Sequence, residues 1–125
     1  MFAPTRFGAT LISFLFLLDI SPASAHHSLA MYDMTRPLTL KGVVERVEWA
    51  NPHVHLYLNV KDSKGQPEEW TIEMDRPDFL THNGWTSATV KPGDVITCTG
   101  GAAKNGALAM RSTTVELASG QRLRS

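Results

Sequence analysis

The sequence predicts an all-β fold: a small five-stranded Greek-key barrel of the OB type, with one short helix between strands 3 and 4, preceded by a cleaved signal peptide. Three observations carry that expectation. His53 to Val60 alternates apolar and polar residues without a break, as a strand with one buried face must. Turn signals at Asp62-Ser63-Lys64-Gly65-Gln66, Lys91-Pro92-Gly93-Asp94 and Ser119-Gly120 divide the chain into strand-length pieces. Only one stretch, between Asp75 and Asn83-Gly84, carries helix start and stop chemistry. Three strands, a helix and two further strands fit a Greek-key barrel, with an open sheet or sandwich as the alternative.

The first element is an export signal over residues 1–25. Arg6 precedes an apolar stretch from Phe7 to Leu18, and Ala23-Ser24-Ala25 has the small-residue pattern of a cleavage site. The stretch is well short of the roughly 20 residues needed to span a bilayer, and Asp19 ends it. Cleavage after Ala25 leaves a chain of 100 residues starting at His26, with no second span and an expected periplasmic or secreted location. Residues 26–37 show no clear period and read as an N-terminal arm, which leaves 38–125 as the barrel domain.

Leu38 to Trp49 reads as a long first strand whose apolar phase shifts near Gly42, predicting a bend or bulge at the glycine. Asn51-Pro52 ends it. In the second strand Val54, Leu56, Leu58 and Val60 face the core, while His53, His55, Tyr57 and Asn59 face outward. A three-residue loop with Gly65 in the left-handed position sets Asp62 opposite Gln66. That register pairs Leu58 with Trp70, Leu56 with Ile72, Tyr57 with Thr71 and His55 with Glu73, so apolar meets apolar. Asp75 then caps a helix with Pro77 in its first turn and buries Phe79, Leu80 or Trp85. Val95 to Thr99 is the expected fourth strand, Gly100 to Gly106 a loop, and Ala107 to Leu117 the fifth strand, followed by a tail.

Composition narrows the chemistry. Twelve basic and twelve acidic residues give no net charge, and no basic stripe is present to displace counterions from phosphates, so nucleic acid is not an expected partner. A single cysteine, Cys98, excludes an internal disulfide and any zinc site needing two thiols. The Glu68-Glu69 pair points to opposite faces of a strand, and Ser28 beside His27 lacks the supports of a triad. Binding is therefore expected rather than catalysis. Cys98, flanked by Thr97 and Thr99 in a strand, reads as a buried structural thiol. His82 reads as helix surface, and Met31 and Met34 are weaker candidates as soft ligands.

The histidines carry the sharper expectation. A histidine at a free amino terminus can chelate a metal with its α-amine and imidazole together, and a third nitrogen completes a brace suited to tetragonal copper(II). His26 would be that residue, and His27 offers its own amine-amide-imidazole mode. His53 and His55, two apart on one strand face, are candidates for the third nitrogen. Glu73 is expected to hold the ring of His55, and Asp75 that of His53. The predicted metal set is thus His26, His27, His53 and His55, with copper as the cofactor. A metal-free module that binds a protein or small ligand through the His/Tyr face and Trp49 is the competing reading.

Ala25-His26-His27-Ser28, Lys41-Gly42, Trp49-Ala50-Asn51-Pro52-His53, Gly84-Trp85 and Lys91-Pro92-Gly93-Asp94-Val95 resemble a family of small secreted bacterial proteins of unknown function. The likeness covers nearly all of the chain after Ala25. It implies an exported OB-like barrel, without an activity, and matches His26, His27 and His53 to the family's histidines. Glu73-Met74-Asp75-Arg76-Pro77 departs from the family's Glu-x-Gly-Ser-Pro, and His55 falls outside the pattern, which favours His53 as third ligand. A looser likeness to periplasmic copper and silver carriers on OB barrels rests on the strand pattern around Gly42-Val43-Val44.

Overall fold

The computed structural model describes residues 29–125. The expected signal peptide, His26 and His27 lie outside the described residues. Six strands and one helix follow: β1 Tyr32–Glu48, β2 His55–Lys61, β3 Pro67–Glu73, α1 Pro77–His82, β4 Val95–Ala103, β5 Ala109–Glu116 and β6 Arg122–Arg124. The strand order is β3-β2-β1-β4-β5-β6, and an extra pairing of β3 with β5 joins the two ends of the five-strand run. That pairing is parallel, matching Ile72 with Met110 and Glu73 with Arg111. Closure removes the edges of β3 and β5 that an open sheet would expose. The sequence-predicted all-β barrel is therefore the observed fold, with a sixth strand where a tail was expected. Leu123 supplies the reason for the sixth, because its side chain is buried in the common core and its strand pairs with Val115.

The β2–β3 register agrees with expectation at every pair from His55↔Glu73 to Leu58↔Trp70, and Asp62 N–H donates to the Gln66 carbonyl at 2.8 Å. Gly65 has φ +77°, the left-handed geometry the loop requires. Val54, Leu56, Leu58 and Val60 are buried with Val44, Ile72, Met74, Leu80, Trp85, Ile96, Cys98, Met110 and Val115. Burial pushes the Cys98 thiol up to about 12, as expected of a core thiol without a charged neighbour to stabilise its anion.

Three boundaries differ from the sequence reading. β1 begins at Tyr32, so the last six residues of the predicted arm belong to the barrel. Its ladder with β4 pairs Asp33 with Ala102 and then jumps to Leu38 with Gly100, leaving residues 34–37 outside the pairing. Asp33 closes this detour by accepting from the Thr35 hydroxyl at 2.6 Å and its N–H at 3.1 Å, and from Arg36 Nε at 3.0 Å. These bonds hold its carboxyl down at about 2. An interruption of that kind hides strand periodicity from a sequence reading.

The second difference concerns Gly42, where a bulge was expected. The irregularity against β2 falls between Val44 and Arg46, with Glu45 the extra residue. Gly42 instead allows close approach, since a Cβ there would lie 2.6 Å from the Asn59 carbonyl oxygen. The third is the predicted loop from Gly100, because β4 continues to Ala103. A Cβ on Gly100 would meet the Arg111 carbonyl oxygen at 1.9 Å, so the glycine is demanded by strand crowding and not by a turn.

Candidate functional site: a polar cluster at the barrel seam

At the end of the β3–β5 ladder five polar side chains converge. Glu73 terminates β3, and its Oε1 lies 3.0 Å from His53 Nδ1 and 3.5 Å from Arg111 Nη1. Its Oε2 accepts a hydrogen bond from the Tyr32 hydroxyl at 2.9 Å. Arg111 Nη1 also donates to the Met74 carbonyl, and Nη2 to Asp75 Oδ2 at 3.1 Å. The other oxygen of Asp75 accepts the Arg76 N–H at 2.8 Å. Four of these residues are largely buried, with His53 at 19%, Glu73 at 12%, Arg111 at 9% and Tyr32 at 9% exposure.

Backbone bonds place them. Past the end of the β2–β3 ladder, Val54 N–H donates to the Asp75 carbonyl at 3.1 Å and Met74 N–H to the Val54 carbonyl at 2.8 Å. This holds His53 beside β3, diagonal to Glu73, at a separation cross-strand side chains can bridge. Tyr32 is fixed by its pairing with Ala103 and by the Lys104 N–H to Met31 carbonyl bond at 2.9 Å. Its phenol is pushed up to about 12, first by burial and then by the bond to Glu73.

The chemistry of the cluster follows from donors and acceptors. A carboxylate only accepts hydrogen bonds, so a hydrogen bond across the 3.0 Å His53–Glu73 contact requires the proton on Nδ1. In the neutral ring the lone pair is then on Nε2, which has no hydrogen-bond partner among the described residues. Within the five side chains, two carboxylates share one guanidinium, which leaves one formal negative charge when the imidazole is neutral.

Neither expected pairing is observed. Glu73 was assigned to His55 and Asp75 to His53, whereas Glu73 holds His53 and Asp75 is taken by Arg111 and by the Arg76 amide. Arg111 is the reason, because it enters from β5, which a two-strand register does not contain. The same demand displaces Asp75 from the helix: Arg76 occupies the N-cap position of α1 and makes no side-chain cap bond. His55 remains half-buried opposite Glu73. Tyr57 is already engaged, donating to Glu48 at 3.0 Å under the Arg46 guanidinium, 3.6 Å from its ring centroid. His82 Nδ1 lies 2.7 Å from the Asp78 carbonyl of its own helix. Met31 and Met34 are exposed. Among the described residues no group of three or more His, Cys, Asp or Glu is arranged to hold a metal ion.

Sequence reasoning missed Tyr32 and Arg111. Arg111 does leave a trace, as a charge in the middle of a strand between Met110 and Ser112, where an unpaired cation could not be buried. Tyr32 leaves none.

These features define a small OB-type barrel with a buried, histidine-bearing polar cluster at its closing seam. The sequence model of a family of unknown function, DUF6152, matches residues 16–111, and the chain belongs to that family. No curated protein matches it. Among solved structures it is similar to the mitochondrial single-stranded DNA binding protein Rim1 from S. cerevisiae, with a TM-score of 0.50 and 15% identity over 66% of this chain and 93% of that one. A selenomethionine form of that protein gives a TM-score of 0.48 and 11% identity over 66% and 92%. The first likeness supports the OB-type fold alone.

Proposed function

We propose that this protein is an exported copper-binding protein, a periplasmic or secreted carrier or sensor, with His26 as its amino terminus and His53 as the nitrogen ligand of the barrel. His27 and His55 are the further candidate nitrogen donors. The observation that carries this reading is His53 itself: Nδ1 is held by a carboxylate at 3.0 Å, the usual second-sphere arrangement of a metal-binding histidine, and Nε2 is left with its lone pair. In this reading the remaining ligands are the α-amine and imidazole of His26, with His27 or His55 assisting. His26 lies six positions before Tyr32 in the sequence. The equal count of acids and bases speaks against a nucleic-acid role like that of the yeast neighbour.

The test is copper titration of the chain beginning at His26, against the same chain with one alanine added before it and against His53→Ala. Both changes should weaken binding at least tenfold and alter the EPR spectrum. Equal affinity and an unchanged spectrum with the added alanine would remove the amino-terminal brace. Mass spectrometry of exported protein should find His26 first.

A further inference from the structure

We propose that Tyr32 is a positioning residue: through Glu73 it fixes which nitrogen of His53 is open to a ligand. The inference deepens the copper reading and rests on it for the identity of the ligand. Its geometric content stands without metal.

Glu73 has two oxygens with different work. Oε2 receives the Tyr32 hydroxyl at 2.9 Å, and Oε1 faces His53 Nδ1 at 3.0 Å. With Oε2 committed, the carboxylate cannot rotate about its last bond without breaking the phenol bond, so Oε1 stays on Nδ1. A free imidazole in water prefers its proton on Nε2. The clamp reverses that preference and leaves Nε2 as the donor atom. Arg111 reinforces the arrangement by standing against the same oxygen at 3.5 Å.

Tyr32 is itself held in place. The backbone is pinned to β4 at Ala103 and Lys104, and the Asp33 detour begins one residue later. Gly101 lies directly beneath, where a Cβ would be 2.6 Å from both the Asp33 carbonyl oxygen and Met34 Sδ. The strand is therefore held on both sides of Tyr32.

The experiment is nitrogen-15 NMR of the His53 ring in metal-free protein, in alkaline buffer, for wild type, Tyr32→Phe and Glu73→Gln, with copper affinity and EPR measured on the same samples starting at His26. Wild type should show a protonated Nδ1 and a bare Nε2. Tyr32→Phe, which keeps the ring and its packing, should produce a mixture of tautomers and weaken copper binding about tenfold, while circular dichroism stays that of the wild type. Glu73→Gln should lose the preference further. Ring shifts in Tyr32→Phe identical to wild type would overturn the positioning role, whatever the copper result. Wild type that shows the expected tautomer but takes up no copper would instead remove the proposed function and leave the role of Tyr32 standing.

Discussion

Replacing Arg111 by methionine should be among the most destabilising single changes in this protein. The guanidinium is 9% exposed and serves three acceptors at once: Glu73, Asp75 and the Met74 carbonyl. At an effective dielectric of about 20, each ion pair at 3.1–3.5 Å has a gross attraction on the order of 5 kcal/mol, most of which is cancelled by the hydration the cation gives up. What remains after substitution is a worse state than none of the groups being present. Glu73, 12% exposed, would keep its charge beside Asp75 without their shared cation, and a backbone carbonyl would lose its donor. Breaking a buried pair in this way costs about 3–5 kcal/mol. Asp75 is 32% exposed and recovers some hydration, so the expectation is the lower end, about 3 kcal/mol. Urea denaturation followed by circular dichroism measures this, with the slope m as a check on two-state behaviour. Arg111→Lys should lie between, since an ammonium cannot present two nitrogens in a fixed fork. The double substitution Arg111→Met with Glu73→Gln should recover part of the loss, because one of the orphaned charges is gone. A loss below about 1 kcal/mol in Arg111→Met, or no recovery in the double variant, would show that the cluster is not held by charge.

Three more outcomes are expected. Gly100→Ala forces a contact of 1.9 Å with the Arg111 carbonyl oxygen, so β4 and β5 must part and stability should fall by about 3 kcal/mol in a thermal or urea melt, with a milder loss for Gly65→Ala, whose Cβ would meet nothing. The folded chain holds the Cys98 and Tyr32 protons more tightly than the unfolded one, both at about 12 against ordinary values of 9.0 and 10.0. Their contribution is therefore complete below about pH 9 and declines as pH rises towards 12. Cys98 accounts for on the order of 4 kcal/mol of that decline, and Cys98→Ala should flatten the alkaline limb of a stability-pH curve. Leu123→Ala should cost about 2–3 kcal/mol by denaturation, because β6 buries this side chain in the core beside the strand carrying Arg111; a neutral result would make β6 a mere appendage.

Local pattern sufficed for the β2–β3 hairpin, because strict alternation from Val54 to Val60 and one left-handed glycine leave a single register in which apolar residues meet. It also sufficed for the burial of Cys98, Trp85 and Leu80, and for the stop of α1 at Asn83-Gly84. Pattern failed where pairing is interrupted or crowded. Tyr32 and Asp33 belong to β1 although residues 34–37 leave the ladder, and Gly100 and Gly101 are strand residues although paired glycines ordinarily mark a loop. Of the candidate site, the sequence singled out His53, Glu73 and Asp75, yet assigned the carboxylates to the wrong partners. The reason is that a hairpin register contains two strands, and the group that decides the pairing, Arg111, arrives on a third.

The division follows from the range of the forces involved. Alternation, turn chemistry and composition act over a few residues, so the sequence by itself determined an all-β chain, its central hairpin and that hairpin's buried face, and the exclusion of an internal disulfide. Which carboxylate meets which cation depends on residues 36 to 41 positions apart being brought to one seam by the parallel β3–β5 closure, as the contacts of Tyr32 and Arg111 with the Glu73–Asp75 segment demonstrate. Only the tertiary structure could decide that His53, and not His55, is the imidazole held by Glu73.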